Sequence, residues 1–390
     1  MASNDILDEE LRRETNRNRY STHLERTEVA PTTQELSRSL PRIMADYDFD
    51  DMTTADVNKL TIAMRAEFGT TWSTMWRDIS DELLKMAKIE GEAVTGVYQD
   101  YTPDPLVPPT NKQIEASTKT AVMTLTTDVS QSGTWAQFVR RNLDNTMRGI
   151  AGVVREGFNN GLTKQEIVKQ LRGSFNRKTG KFEGGFLNGK ARAGADSLAR
   201  TGVSHYANVA RDEFAKKNKS LIEGRTLFAT LDNATTTICL GRHLNFYPTD
   251  EPFPNLPFHF NERSQYIFKT KGFDPLNTER TAVGGQKGAN AAEEFETKQG
   301  RTDKKVAYKG KKDADIFDIQ TIEAKVTSDQ WLRRQPRWFI ESTLGKERAR
   351  LFVDGDLKID RFTDMTGRQL TLEELKETNA GERAYRKAES

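Results

Sequence analysis

Cys239 is the chain's one cysteine, and His243, His259 and Glu262 follow it within the stretch "ATLDNATTTICLGRHLNFYPTDEPFPNLPFHFNERS". Thiolate, imidazole and carboxylate are the ligand types that hold zinc. The Cys-x3-His spacing is wider than a paired-cysteine knuckle, but donors from a small β unit can converge on one ion. Glu262 brings an oxygen, so the set Cys239, His243, His259 and Glu262 is not a sulphur-rich tetrahedral site. The same residues have a structural reading. Asp232 accepts hydrogen bonds from turn amides and from Thr235 or Thr236, as Asx turns do. Arg263 reaches back to a carboxylate, most simply Asp232. His259 anchors the closing loop, and Cys239 serves as a small buried hydrophobe. With a single thiol and no triad around a general base, the structural reading is the expectation. A metal-dependent hydrolase or nuclease is its rival.

Other residues that bear on chemistry are fewer. His205 stands at helical spacing from Thr201 and Val209, which suits a histidine tying a helix to the hairpin better than a proton shuttle. The glycines of "GGFLNGKARAG" do not make G-x-x-x-x-G-K-[ST] and no strand precedes them, so nucleotide binding is excluded. Residues 131–200 hold 13 Lys+Arg against 5 Asp+Glu, whereas residues 1–60 hold 8 against 13. Arg140, Arg141, Arg148, Arg155, Lys169, Arg172, Arg177 and Lys178 supply a basic middle able to meet phosphates without reading bases.

These groups must be positioned by helices for the most part. "TTADVNKLTIAMRAEF" places Val57, Leu60, Ile62, Met64 and Phe68 near one face behind a threonine N-cap. Trp72 and Trp76 continue it as a helix–helix contact, and Gly91 reads as its stop. "YTPDPLVPPTN" predicts a linker or hinge, with a short extended piece after it. A clean amphipathic helix runs from Trp135 to Phe158, closed by "NNG". "TKQE" (163–166) is a capping box for a short helix. A glycine-rich loop or hairpin (173–189) then leads into a long alanine-rich helix, central and closely packed. "TLFATLD" and "LNFYP" predict short strands in a small β unit over 226–270. The fold class is therefore α+β and predominantly α-helical. Its parts are an acidic arm and helices (1–100), a proline-rich linker (101–130), a core (131–272), a charged insertion (273–328) and a folded C-terminal block (329–390). Residues 1–50, polar and acidic, predict a mobile or partner-ordered arm.

Composition sets bounds on function. Apolar residues make up 35% of the 390 and charged ones 30%, with mean hydropathy −0.73, which is lean for a compact enzyme and suits large wet surfaces. No apolar run approaches the roughly 18 residues that span a bilayer, and the N-terminus lacks an apolar signal region. A lone cysteine excludes an internal disulfide and fits assembly in a reducing cytoplasm.

Three blocks, in order over about 145–390, resemble the Mu F-like phage head morphogenesis family of minor head (minor capsid) proteins. The first is "GFNNGLTKQEIVKQLRG" with "ARTGVSHYANVARDEFAKKN", carrying the Arg-Thr-x-x-x-His helix as Arg200, Thr201 and His205. The second is the 229–264 stretch, similar to the family's Thr-Leu-Asp turn and closing segment, here Asp232, Thr235, Cys239, His259, Asn261 and Arg263. Where the family usually has a second cysteine, this chain has Glu262. The third is "WLRRQPRWFIESTLGKERARLFVDGDLKIDRFTDMTGRQLTLEEL". The resemblance implies a non-enzymatic protein without cofactor, assembled in the host cytoplasm and retained in the virion inside the head near the portal. It implies the portal, major capsid or scaffold protein as partner, a role in organising or ejecting packaged DNA, and no membrane.

Overall fold

The computed structural model describes the backbone of residues 2–49, 51–102, 104–125, 132–285, 293–294, 306–307, 317–364 and 367–389. It is predominantly helical with small antiparallel sheets, the α+β class the patterning predicts. The chain opens with α1 (Ala2–Leu24), a π-helical turn (Glu25–Val29) and α2 (Ala30–Ile43). Then comes α3 (Thr54–Gln99), a single 46-residue helix. Thr53 and Asp56 cap its start reciprocally, satisfying amides that have no partner within the helix. Gly91 does not stop it. A Cβ there would stand 2.7 Å from Ile114 Cδ1 and 2.9 Å from Pro109 Cγ, so this glycine lets the following segment pack close.

That segment is held rather than hinged. Asn218 receives the Val107 amide at 2.8 Å and returns its own side-chain amide to the Val107 carbonyl at 2.9 Å. Next come α4 (Asn111–Thr120), the short pair β1 (Val122–Met123) and β2 (Gly133–Thr134), and the amphipathic α5 (Trp135–Asn159). α5 ends as "NNG" predicts: Gly161 has φ +65°, and the Leu162 amide returns to the Gly157 carbonyl. α6 (Lys164–Arg172) opens on the Thr163–Glu166 capping box. The glycine-rich stretch is a hairpin of β3 (Ser174–Asn176) and β4 (Lys181–Glu183). It leads into α7 (Arg192–Lys217).

α7 is the hub. Its small residues let α1, α3, α4 and α5 approach, and a Cβ on Gly202 would fall 2.6 Å from Trp135 Cη2 and 2.8 Å from Leu83 Cδ1. Trp72 and Trp76 bury against α5, and both indoles donate to Asn142 Oδ1, at 3.0 and 3.1 Å. Val57, Leu60, Met64 and Phe68 are buried as the spacing predicts, but Ile62 is 69% exposed.

The N-terminal arm is a correction. Ile6, Leu7, Leu24, Val29, Leu36, Leu40 and Met44 are all buried, most of them in the same core as α3, α5 and α7. Sparse apolar residues suffice here because the arm's charges also find partners, as described below.

Beyond α7, β5 (Ile222–Phe228) is the centre of a three-stranded antiparallel sheet. α8 (Thr237–Arg242) separates it from its neighbours β6 (Phe246–Pro248) and β7 (Gln265–Thr270). β8 (Glu279–Gly285) is followed by the short pair β9 (Glu293–Glu294) and β10 (Val306–Ala307), then by β11 (Phe317–Glu323), which pairs back on β8 over seven residues. Of the charged insertion expected over 273–328, residues 286–292, 295–305 and 308–316 lie outside the described residues, and its flanks form the paired strands β8 and β11 rather than a loop. The C-terminal helices are α9 (Ser328–Arg333), α10 (Arg337–Leu344), α11 (Lys346–Val353), α12 (Leu372–Glu377) and α13 (Asn379–Glu389). They build a second core that also takes in Leu231 and Leu240, so this block packs onto the 229–264 stretch.

Candidate functional site

Arg200 and Thr201 are adjacent in α7 and His205 lies one turn beyond Thr201; Arg200 meets the arm and Thr201 the 259–264 loop. Arg200 pairs with Glu25 in the arm, Nη2 to Oε2 at 2.9 Å. Thr201 Oγ1 accepts the Asn261 amide at 3.1 Å, and Asn261 takes the left-handed φ of +61° that asparagine tolerates. The tie from helix to loop is thus made by Thr201, not by His205. His205 is buried and its Nε2 has no hydrogen-bond partner among the described residues. Burial alone pushes its imidazole down to about 4, so it is neutral at physiological pH.

Asp232 sits where the turn chemistry predicts. Its Oδ1 accepts from the Ala234 amide at 3.0 Å, the Thr235 hydroxyl at 2.9 Å and Arg263 Nη2 at 2.7 Å. Oδ2 accepts Arg263 Nη1 at 2.6 Å. Burial raises the carboxyl, but these donors outweigh it and hold it below the usual carboxylate range. The pair is half-enclosed, with side-chain exposures of 31% for Arg263 and 15% for Asp232.

The structure brings together three of the four candidate metal ligands. Thr236 N-caps α8 by accepting the Cys239 amide, which fixes Cys239 in the first turn with its thiol inward. His259 and Glu262 come from the closing loop. Cys239 Sγ lies 3.0 Å from His259 Nε2 and 3.1 and 3.2 Å from the two Glu262 oxygens. His259 Nε2 is 3.1 Å from Glu262 Oε2 and 3.0 Å from Thr236 Oγ1. Sequence reasoning missed two supports, which no spacing rule reveals: the Ser264 amide on Glu262 Oε1 at 2.9 Å and the Phe260 carbonyl on His259 Nδ1 at 2.8 Å.

His243 is not part of this cluster. Its ring packs edge-on against Phe228, 5.2 Å between centroids, and its Nδ1 accepts the Ala229 amide at 3.2 Å. Burial, then the nearby Arg280 guanidinium, keeps it neutral. His243, closing α8, faces back to Phe228 of β5, whereas the Cys239 thiol faces the loop that carries His259 and Glu262.

The cluster is enclosed. Cys239 is 2% and Glu262 5% exposed, and the cavity that Glu262 borders with Glu14, Arg17 and Asn208 measures about 20 Å³, room for one water. Burial and the adjacent Glu262 carboxylate push the thiol up, so it stays protonated and is a poor nucleophile.

Beside it lies a charge network that spacing alone does not reveal. Arg211 of α7, 1% exposed, holds both oxygens of Glu10 at 2.8 Å, Glu90 Oε1 at 3.2 Å and the Tyr266 carbonyl at 2.6 Å. Glu90 also takes Arg13 at 2.6 Å and Arg17 at 2.9 Å. α1, α3, α7 and β7 are locked together here.

Of the basic middle, Arg140, Arg148, Arg155, Lys169, Arg177 and Lys178 are exposed. Arg141 and Arg172 are half-buried and stack over Phe138 and Phe182, at 4.3 and 4.6 Å. No helix among the described residues is long and apolar enough to cross a membrane. No protein-family model, curated protein or solved structure matches this chain.

Proposed function

We propose that this chain is a non-enzymatic minor head protein of a tailed phage, associated with the portal, major capsid or scaffold protein and retained inside the head. The three ordered sequence blocks support the reading. The observation that carries it is how their polar residues are used. Arg200 goes to Glu25, Thr201 to Asn261, and Asp232 to Arg263, each joining two segments in a packed module. None of these ties opens a cleft in which a substrate meets a base or nucleophile. In the Cys239–His259–Glu262 cluster the thiol and carboxylate are buried and the imidazole side chain is 13% exposed, an arrangement that suits a tie between α8 and the closing loop. The exposed arginines and lysines on α5, α6 and the β3–β4 hairpin give a surface suited to weak, sequence-independent contact with packaged DNA.

The test is an asymmetric reconstruction of the purified virion, with mass spectrometry of its proteins. The expected result is this chain inside the head at the portal vertex. Virions that lack it altogether, or carry it outside the head, refute the assignment.

A further inference from the structure

Glu262 differs from the other buried acidic residues. Glu10, Glu25, Glu90 and Glu213 each pair with an arginine or lysine. Glu262, 5% exposed, makes no ion pair with an arginine or lysine among the described residues: its oxygens meet a thiol, an imidazole and the Ser264 amide, and it borders a small cavity that Arg17, Arg200 and Arg263 also line. A buried carboxylate requires a compensating positive charge. The hydrogen bonding shows where one fits. The Phe260 carbonyl can only accept, so His259 Nδ1 carries the proton, and the Nε2 lone pair points at Cys239 Sγ and Glu262 Oε2. An imidazole whose other nitrogen donates to a backbone carbonyl is the usual support of a metal-bound histidine.

We infer that Cys239, His259 and Glu262 hold a structural zinc ion that pins α8 to the closing loop. Sγ, Nε2 and Oε2 form a nearly equilateral triangle with edges of 3.0, 3.1 and 3.2 Å. An ion at roughly 2.0–2.3 Å from each donor lies about 1 Å off their plane with ligand–ion–ligand angles of roughly 90–100°, so the donors need to spread by only a few tenths of an ångström to make the base of a tetrahedron. Thr236 Oγ1, 3.0 Å from Nε2 and 3.2 Å from Sγ, stands beside the fourth position and either fills it or holds a water there. Charge balances as well: thiolate and carboxylate carry −2 against a divalent ion, and binding releases the thiol proton to solvent. Cys239 and Glu262 are buried and the His259 side chain is only 13% exposed, which makes the site structural rather than catalytic. Glu262, standing where the resembled family has cysteine, is the oxygen ligand of this set.

The experiment uses the full chain expressed in zinc-supplemented medium, desalted and analysed for metals, then stripped with chelator and reloaded with cobalt(II). About one equivalent of zinc is expected, together with a thiolate-to-cobalt charge-transfer band. Cys239→Ser should lose that band and weaken zinc binding beyond the roughly 10–100-fold typical of an outer-shell change. Glu262→Gln should keep the band and bind at least about 10-fold more weakly. If either variant fails to fold, the cobalt spectrum of the unmodified chain still decides. Substoichiometric metal with no charge-transfer band, before and after reloading, overturns the inference. Zinc bound equally well by folded Cys239→Ser overturns it too. Neither outcome bears on where the chain sits in a virion.

Discussion

Replacing Arg211 with alanine should cost more than removing any one of its partners. The guanidinium is 1% exposed and holds both oxygens of Glu10, itself 0% exposed. Without it, the donor that Glu10 keeps among the described residues is the neutral Tyr98 hydroxyl. Breaking a buried pair costs about 3–5 kcal/mol because the remaining charge is stranded, and the isolation of Glu10 places Arg211→Ala near 4 kcal/mol. Glu10→Ala should cost less, about 3 kcal/mol, since Arg211 keeps Glu90 and the Tyr266 carbonyl. Glu90 survives either change because Arg13 and Arg17 remain. The paired change Glu10→Leu with Arg211→Met removes both charges and should recover to within about 2 kcal/mol of the parent. Urea unfolding followed by tryptophan fluorescence reads this directly, since Trp72, Trp76 and Trp135 lie in the core that α7 organises. Circular dichroism on the same samples tests whether the transition is shared. An Arg211→Ala cost below about 1 kcal/mol, or a double variant no more stable than Arg211→Ala, refutes the reasoning. Acid supplies a second check. Burial raises the Glu90 carboxyl, but Arg17, Arg211 and Arg13 overcome this and hold it at about 2. Its contribution is therefore complete above the unfolded carboxyl's range and is lost only as pH falls from about 4.5 toward 2.

Three further outcomes are expected. Neutral, buried His205 is held at about 4 against an unfolded value of 6.5, so the unfolded chain takes up the proton first. The stability it carries is complete above about 6.5 and falls by on the order of 3 kcal/mol as pH drops toward 4. His205 lines a cavity with Asp212, Glu213 and Lys216, so the comparison is with His205→Leu in pH-dependent urea melts; equal slopes would rule its titration out. Gly202→Ala gains about 1 kcal/mol of helix propensity but forces a methyl against Trp135 and Leu83, so it should destabilise by roughly 1–2 kcal/mol net; a raised melting temperature contradicts the packing. Deleting residues 1–43 should abolish the near-ultraviolet dichroism of the tryptophan core, because it strips Leu24, Val29, Leu36 and Leu40 from that core and Glu10 from Arg211; a truncated chain with the parent's melting curve would show the arm to be dispensable.

What the sequence determined by itself is what depends on neighbours a few residues apart. The capping boxes at Thr53 and Thr163, the apolar face of α5, the "NNG" terminus and the Asp232 turn all arise from i to i+4 geometry, so their chemistry can be read from the string. The Asp232–Arg263 pair was legible as well, because a single closing loop returns one to the other. Only tertiary structure decided the rest. The composition of residues 1–50 resembles a disordered arm, and its burial depends on Glu10 meeting an arginine 201 positions away, which no local rule encodes. Gly91 has the composition of a helix stop, yet the space taken by Ile114 and Pro109 made it a packing glycine inside α3. In the candidate site, spacing put Cys239, His243, His259 and Glu262 on equal terms. The turn of chain after α8 separated them, sending His243 back against Phe228 while the loop carried His259 and Glu262 to the thiol, because direction in space follows from the packing of whole elements rather than from distance along the chain.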